Sequence, residues 1–374
     1  MSGLKTRKHR QALAIRLFKF KMTKKVNNKS LGKARDAKQD EFYTQLGDIS
    51  NELKHYKAQL RGKTILCNCD DPFESNFFKY FALNFNTLGL KKLIATSYLR
   101  SPVAGAQLPL FSIEGLKPEG KEPYAVEINE VPDHNGDGAT DLTDVEYLLQ
   151  NNANTARTLK GDGTYSSGDF RSSECVELLK QSDIVITNPP FSLFREFVTH
   201  LVAHDKQFLI IGSKNAITYK EIFVLIRDNK LRTGYRNINS DMWFEVPDGA
   251  VYEKIDNGKK IKHIMAIWLT NLAVEKHSEM MTLYKKYTPA EYPKFDNYDA
   301  INVDKVDDIP CDHLGVMGVP ITFLDKHNPE QFEVLGLAAG NIRGLAGITS
   351  TTGKDGPYMN GKLKYGRIII KRKN

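Results

Sequence analysis

The chain has 374 residues, 41% of them hydrophobic and 26% charged, which are the proportions of a folded protein with one or two domains. It contains no run of about 18 apolar residues, so no membrane span is expected, and its N-terminal stretch ALAIRLF, short and interrupted by Arg16, does not read as a secretory signal. Net charge is +8, and four scattered cysteines (Cys67, Cys69, Cys175, Cys311) argue against a disulfide framework. A reducing compartment is expected, most simply cytoplasm or a virus-infected cell.

Residues 1–40 hold thirteen Lys or Arg against Asp36 and Asp40, and read as a basic arm. Such an arm suits a phosphate backbone or is a solvated tail. Met22 offers an alternative start. In DISNELKHYKAQL (48–60), Ile49, Leu53, Tyr56 and Leu60 recur at helical spacing. KTILCNCDDP then reads as a strand ending in polar residues, SNFFKYFALNF as a helix and LKKLIATSYL as a second strand. Residues 101–160, rich in Gly, Pro and Asp, read as a looser insertion. Beyond it come the helix SSECVELLKQ, the strand SDIVITNPPF, the helix SLFREFVTHLVAHD, the strand KQFLIIGS and the helix YKEIFVLIRDNK. This alternation predicts a parallel, doubly wound α/β sheet. After about residue 232 the pattern changes to short β-like runs (DMWFEVP, HIMAIWLTN, GRIIIKRK) separated by Gly, Pro and Asn. The reading is therefore three parts: a basic arm over 1–40, a catalytic domain over 41–235 with the insertion 101–160, and a smaller region over 236–374.

In open α/β sheets ligands bind beyond the C-terminal ends of the strands. Three polar clusters fall at such ends: Asn68-Cys69-Asp70-Asp71-Pro72, Asp169, and Asn188-Pro189-Pro190-Phe191. No Walker loop and no G-x-G-x-x-G is present, which argues against ATP or NAD held in those ways. The last cluster suits an exocyclic amine. An Asn side-chain carbonyl accepts from one N–H, the Pro189 carbonyl accepts from the other, and Phe191 can stack on a base for about 1–3 kcal/mol. The amine lone pair then points at an electrophile. The carboxylates at neighbouring strand ends can take the hydroxyls and amine of a nucleoside cofactor, and no nucleophilic cysteine is required.

These residues carry a family resemblance. NPPF after an apolar strand resembles motif IV of amino-directed methyltransferases, and DEFYT (40–44) resembles their motif X. ILCNCDDPFESNFFKYFALNF (65–85), GDFRSSE (168–174), NPPFSLFREF (188–197), FLIIG (208–212) and the segments within 292–333 together resemble the EcoRI-type adenine-specific DNA methyltransferases. The resemblance covers roughly residues 22–374. It implies a Rossmann-like S-adenosylmethionine-dependent methyltransferase sheet with a smaller C-terminal target-recognition region. It also implies transfer of a methyl group to adenine N6 in double-stranded DNA, on a base flipped out of the duplex, with Asn188, Pro189, Pro190 and Phe191 at the amine. Phe42, Tyr43, Thr44, Asn68, Asp169 and either Asp70 or Asp71 would meet the cofactor. A cognate restriction endonuclease acting separately is a possible partner. The common glycine-rich F-x-G-x-G is absent, and the second strand has no acidic residue at its end for the ribose.

Within the insertion, DHNGDGATDLTD places Asp133, Asn135, Asp137, Gly138 and Asp144 at positions 1, 3, 5, 6 and 12 of a calcium loop. Structural calcium is one expectation there, and a chance Asx/Gly turn is the other. Two further functional readings stand beside the first: a methyltransferase on another amine (RNA adenine, cytosine N4 or a protein glutamine amide), and a non-catalytic DNA-binding protein on the same scaffold.

Overall fold

The apolar runs ILC, LIA, IVI and FLII become strands buried on both faces, as central strands of an α/β sheet must be. The computed structural model describes residues 43–72, 75–98, 123–151, 156–246, 250–340 and 344–373. The basic arm, Phe42 and residues 99–122 lie outside the described residues. The main strands are β1 (Thr64–Asn68), β2 (Lys92–Thr96), β3 (Tyr124–Ile128), β4 (Ala156–Thr158), β5 (Ile184–Thr187), β6 (Gln207–Ser213), β7 (Arg232–Thr233) and β8 (Ala266–Thr270). They form one eight-stranded sheet in the order β4-β3-β2-β1-β5-β6-β8-β7.

The four central strands run parallel. The edges do not: β3 is antiparallel to β2, β4 to β3, and β8 to both β6 and β7. The expected wholly parallel sheet is thus corrected to a mixed one. Strand–helix alternation reports only helical crossovers, and β8 is entered from another strand, Lys259–Ile264, which needs no parallel placement. The insertion is also less loose than its composition suggests. It contributes β3, β4 and the helix α3 (Leu142–Asn151).

Helices cover both faces. Along β1 and β5, Leu66 and Val185 join one core with α4 (Ser173–Gln181), α5 (Phe194–Ala203) and α6 (Lys220–Arg227). Their neighbours Ile65, Cys67, Ile184 and Ile186 join the other core, with α1 (Leu46–Leu53), α2 (Asn76–Leu83) and α3. The period-2 alternation of the strands thus divides the apolar residues between two layers. A second sheet, ordered 301–302, 316–320, 367–372, 332–338, packs Ile368 and Ile370 onto the first of these cores. A small sheet pairs Tyr43–Thr44 with Met242–Glu245, which in turn pairs with Lys259–Ile264.

A buried carboxylate fastens the chain after β7 to α1. Glu52 accepts from the N–H of Tyr235 (2.6 Å) and of Arg236 (2.8 Å) and from the Tyr56 hydroxyl (3.0 Å). Glu52→Ala leaves those donors unmet, at about 1–3 kcal/mol for each one kept from water. We expect urea unfolding to show a loss of roughly 2–4 kcal/mol.

Candidate active site

From β1 the chain moves outward to β2, β3 and β4, and later returns to lay β5 and β6 on the opposite side of β1. The order reverses between β1 and β5, so the loops leaving these two strands bound a crevice. The β1 loop turns at once: Cys69 takes a left-handed backbone, φ 71°. Glycine adopts that conformation freely, and other residues at a cost of about 1–2 kcal/mol. The cysteine therefore makes the turn a glycine-rich loop would make. We expect Cys69→Gly to stay within ~1 kcal/mol of the parent in urea unfolding, and the β-branched Cys69→Val to lose about 1–3 kcal/mol.

The crevice is a pocket with about 840 Å³ of empty space, open to solvent. Tyr43, Thr44, Asp70, Asp71, Asp169, Asn188, Pro189 and Pro190 all line it, although they come from four separate segments. Each segment has its own support. Tyr43 and Thr44 are held by pairing with Glu245 and Phe244, and by the Asn76 side chain, which donates to the Thr44 carbonyl at 2.8 Å. Asn76 opens α2, whose N-cap Ser75 accepts from the Phe77 N–H at 3.0 Å. The loop before α4 presses on the end of β2. Gly168 has φ 73°, and a Cβ there would fall 2.1 Å from the Ser97 carbonyl oxygen, so only glycine fits.

Asp70 and Asp71 differ in environment. Asp70 is buried, 8% exposed. It accepts from the Ser75 hydroxyl at 2.9 Å, and it bonds Thr187 Oγ1 at the end of β5 and the backbone N–H of Asn188. Burial pushes its pKa up to about 7, against the opposing pull of the hydrogen bonds from Thr187, Ser75 and Asn188. Asp71 is half-buried and accepts from the Tyr124 hydroxyl at 2.7 Å. Asp169 is gripped by its near neighbour: Arg171 reaches it through Nε at 2.9 Å and Nη2 at 2.7 Å. That bond raises the Arg171 pKa, so the guanidinium stays charged. Burial pushes the Cys175 thiol up to about 11, and it lies outside the pocket lining.

Two expected site residues stand elsewhere, and a third is not described. Asn68 is buried at the end of β1 and is absent from the lining. Phe191, in the 3-10 turn Phe191–Leu193, packs in part against the α1/α2-side core. Phe42 lies outside the described residues. The sequence reading missed Tyr98 and Phe170, which line the pocket. Their signal was an aromatic two residues past β2 and another directly after Asp169. Both are readable only once the strand ends are known to converge.

The calcium expectation finds no support in the structure. Asp133 accepts from the N–H groups of Gly136 (2.7 Å), Asp137 (3.2 Å) and Gly138 (2.8 Å). Asp144 accepts from His134 (2.8 Å) and Asp141 (2.9 Å), and Asn135 donates to Asp137 at 2.9 Å. Backbone N–H groups of the loop thus bond to the would-be ligands, in Asx-turn fashion. Among the described residues no group of three His, Cys, Asp or Glu is placed to hold a metal ion. Nor, among them, is any helix long and apolar enough to cross a membrane.

A family profile described as adenine-specific methyltransferase EcoRI matches residues 30–373. The chain belongs to the EcoRI-type adenine-specific methyltransferase family. Type II methyltransferase M.EcoRI of Escherichia coli is 44% identical over 367 residues, covering 94% of this chain and 99% of that protein. Type II methyltransferase M.MpnI of Mycoplasma pneumoniae is 37% identical over 358 residues, covering 91% and 97% respectively. No solved structure matches the chain.

S-adenosylmethionine is the methyl donor that the family implies, and the pocket suits it. Thr44 lines the pocket, and its buried Oγ1 has no protein hydrogen-bond partner among the described residues. A buried hydroxyl left in that way marks a place for a ligand's polar group. Around it stand the carboxylates of Asp71 and Asp169, which can accept from hydroxyl and amine groups. The aromatic residues Tyr43, Tyr98 and Phe170 share the lining.

Proposed function

We propose that this member of the family methylates the N6 amine of adenine in duplex DNA at a specific sequence, with the target base rotated out of the helix into the pocket. One observation carries the reading. The turn Asn188-Pro189-Pro190 shares a single cavity with Tyr43, Thr44, Asp71 and Asp169, so an amine and a nucleoside cofactor can lie side by side.

Bound S-adenosylmethionine supplies an electrophilic methyl group. The chain's own groups position the other reactant. The Asn188 side-chain carbonyl and the Pro189 main-chain carbonyl accept the two amine hydrogens, which draws the lone pair out of conjugation with the ring. Two successive prolines stiffen this turn, so the acceptors are held before the base arrives. In this proposal Phe191, next to the turn but outside the pocket lining, meets the base at the pocket's edge. Stacking offsets some of the few kcal/mol needed to unstack the target.

In this proposal the carboxylates divide the labour. Asp71, Asp169 and Thr44 face the cofactor, with Tyr43 against it, while Asp70 holds the β1 and β5 loops together. The sheet is read as Rossmann-like, with recognition of the target sequence in the C-terminal region. Any restriction endonuclease of the same specificity would act as a separate protein.

The test uses the full chain with labelled S-adenosylmethionine and genomic DNA lacking adenine methylation. Label recovered as N6-methyladenine in one sequence context supports the proposal. Label on cytosine or on protein, or none, overturns it.

A further inference from the structure

From Gly356 to the C-terminus the chain carries six Lys or Arg and no Asp or Glu. Within this run Tyr358–Met359 and Lys362–Leu363 pair antiparallel across a two-residue turn, Asn360-Gly361. Both turn residues have positive φ, 51° and 73°, as a type I′ hairpin requires. A two-stranded hairpin is marginal by itself. Three consecutive residues from 60 or so positions earlier hold this one in place. The Asp296 carboxylate accepts from the N–H of Asn360 (3.1 Å) and of Gly361 (2.8 Å). The fully buried Asn297 donates to the carbonyls of Lys354 (3.0 Å) and Gly356 (2.8 Å) and accepts from the Tyr358 N–H (3.0 Å). The Tyr298 hydroxyl donates to the Asp355 carbonyl at 2.7 Å.

The surface so braced consists of Lys362, Leu363, Lys364 and Tyr365, all exposed. Tyr365 is 91% exposed and Leu363 51%. Asp304, the acid that feels the Lys364 charge, is already paired with Arg367 at 3.2 Å. A rigid element that shows an aromatic ring beside like charges is matched by a polyanion whose grooves expose base edges. In another hairpin among the described residues, Lys254–Asp256 with Lys259–Ile264, two of the lysines are already engaged. Its Lys259 is neutralised by Glu245 at 2.6 Å, and its Lys254 lies over the Trp243 ring.

We propose that the 358–365 hairpin is a contact element for the substrate duplex. Lys362 and Lys364 meet backbone phosphates, and Tyr365 lies against the groove between them. The proposal rests on the reading of the protein as a DNA methyltransferase and adds the surface that reading lacks.

The experiment measures affinity of the full-length protein for a fluorescent random-sequence duplex over a range of salt concentrations. Each phosphate contact contributes about −0.9 to the slope of log affinity against log salt. Lys362→Ala/Lys364→Ala should therefore flatten the slope by roughly 1–2 units. Tyr365→Ala should weaken binding several-fold and leave the slope unchanged. Lys54→Ala/Lys57→Ala removes the same charge from exposed positions near α1 and should leave the slope as it was. Unchanged thermal midpoints and cofactor binding confirm that the variants are folded. A parental slope and affinity in the hairpin variants overturns the contact while wild-type methylation keeps the enzymatic reading intact. Equal flattening in the control pair also overturns it, since the effect is then one of net charge. Failure of the wild-type protein to bind duplex removes the reading itself.

Discussion

Replacing Asn188 by alanine should abolish methyl transfer while the protein still binds S-adenosylmethionine. Asn188 lies directly after β5 and lines the pocket, and its proposed task is to accept from the target amine, not to touch the methyl donor. Removing one preorganised hydrogen-bonding group from a site of developing charge costs about 10²–10³ in kcat. The loss here should be at least that large, because the amine lone pair is otherwise delocalised into the ring. Cofactor affinity, read by calorimetry, should change less than about threefold, a free-energy difference well under 1.4 kcal/mol. Asn188→Asp tests the same idea differently. It keeps an acceptor of equal size and should retain more activity than alanine. Full activity in a folded Asn188→Ala protein would falsify the proposed mechanism.

The second large effect concerns Asp70. Its carboxylate joins the α2 cap, the end of β5 and the Asn188 main chain, so Asp70→Ala frees the loop that presents the Asn188 amide. A displacement of about 1 Å at a reacting group costs on the order of 10²-fold in rate. We expect a loss of that size in kcat, with KM for S-adenosylmethionine much less affected. Asp70→Asn keeps one acceptor and adds a donor for Thr187, and should recover most of the loss.

The pH dependence of stability carries a further signature. The folded pKa of about 7 lies above the usual carboxylate value, so the native state holds this proton where the unfolded chain has lost it. The contribution is complete below the unfolded pKa of about 4 and is lost as pH rises through the folded value near 7. Wild-type protein should therefore lose stability across that window relative to Asp70→Asn. The difference should be on the order of 3–4 kcal/mol, measured by urea unfolding at a series of pH values. Parallel pH profiles for the two proteins would show that Asp70 stays ionised throughout.

Much of the site was legible in the chain because its signals are local. Ile184-Val185-Ile186 is a buried run, and two prolines must end it in a stiff corner, so Asn188 stands at a strand end whatever else the protein does. The same logic marked Asp70 and Asp71 after ILCNC, while Thr44 was marked by the resemblance of DEFYT to motif X. The apolar periodicity of KQFLIIGS and YKEIFVLIRDNK likewise required a strand and a helix, and β6 and α6 are found there.

Other features depend on partners that no sequence window contains. Asp70 and Asp71 are adjacent and chemically identical. Only the arrival of Thr187 beside one and Tyr124 beside the other gives them different surroundings. The spacing of Asp133, Asn135, Asp137 and Asp144 fits a calcium loop, but spacing does not reveal which backbone N–H groups the carboxylates accept from, and only the folded loop shows those bonds. The reversed edges of the sheet arise because strand pairing is a long-range choice between directions that share one local pattern. Tyr365 reads as an ordinary aromatic within YGRIII. It stands 91% exposed because the buried Asn297, far away in sequence, bonds the loop leading into its hairpin. Residue type and period are properties of short segments, and they determined the strands, helices and strand-end residues. Burial and hydrogen-bond saturation are properties of segments brought together, and the tertiary structure alone decided them.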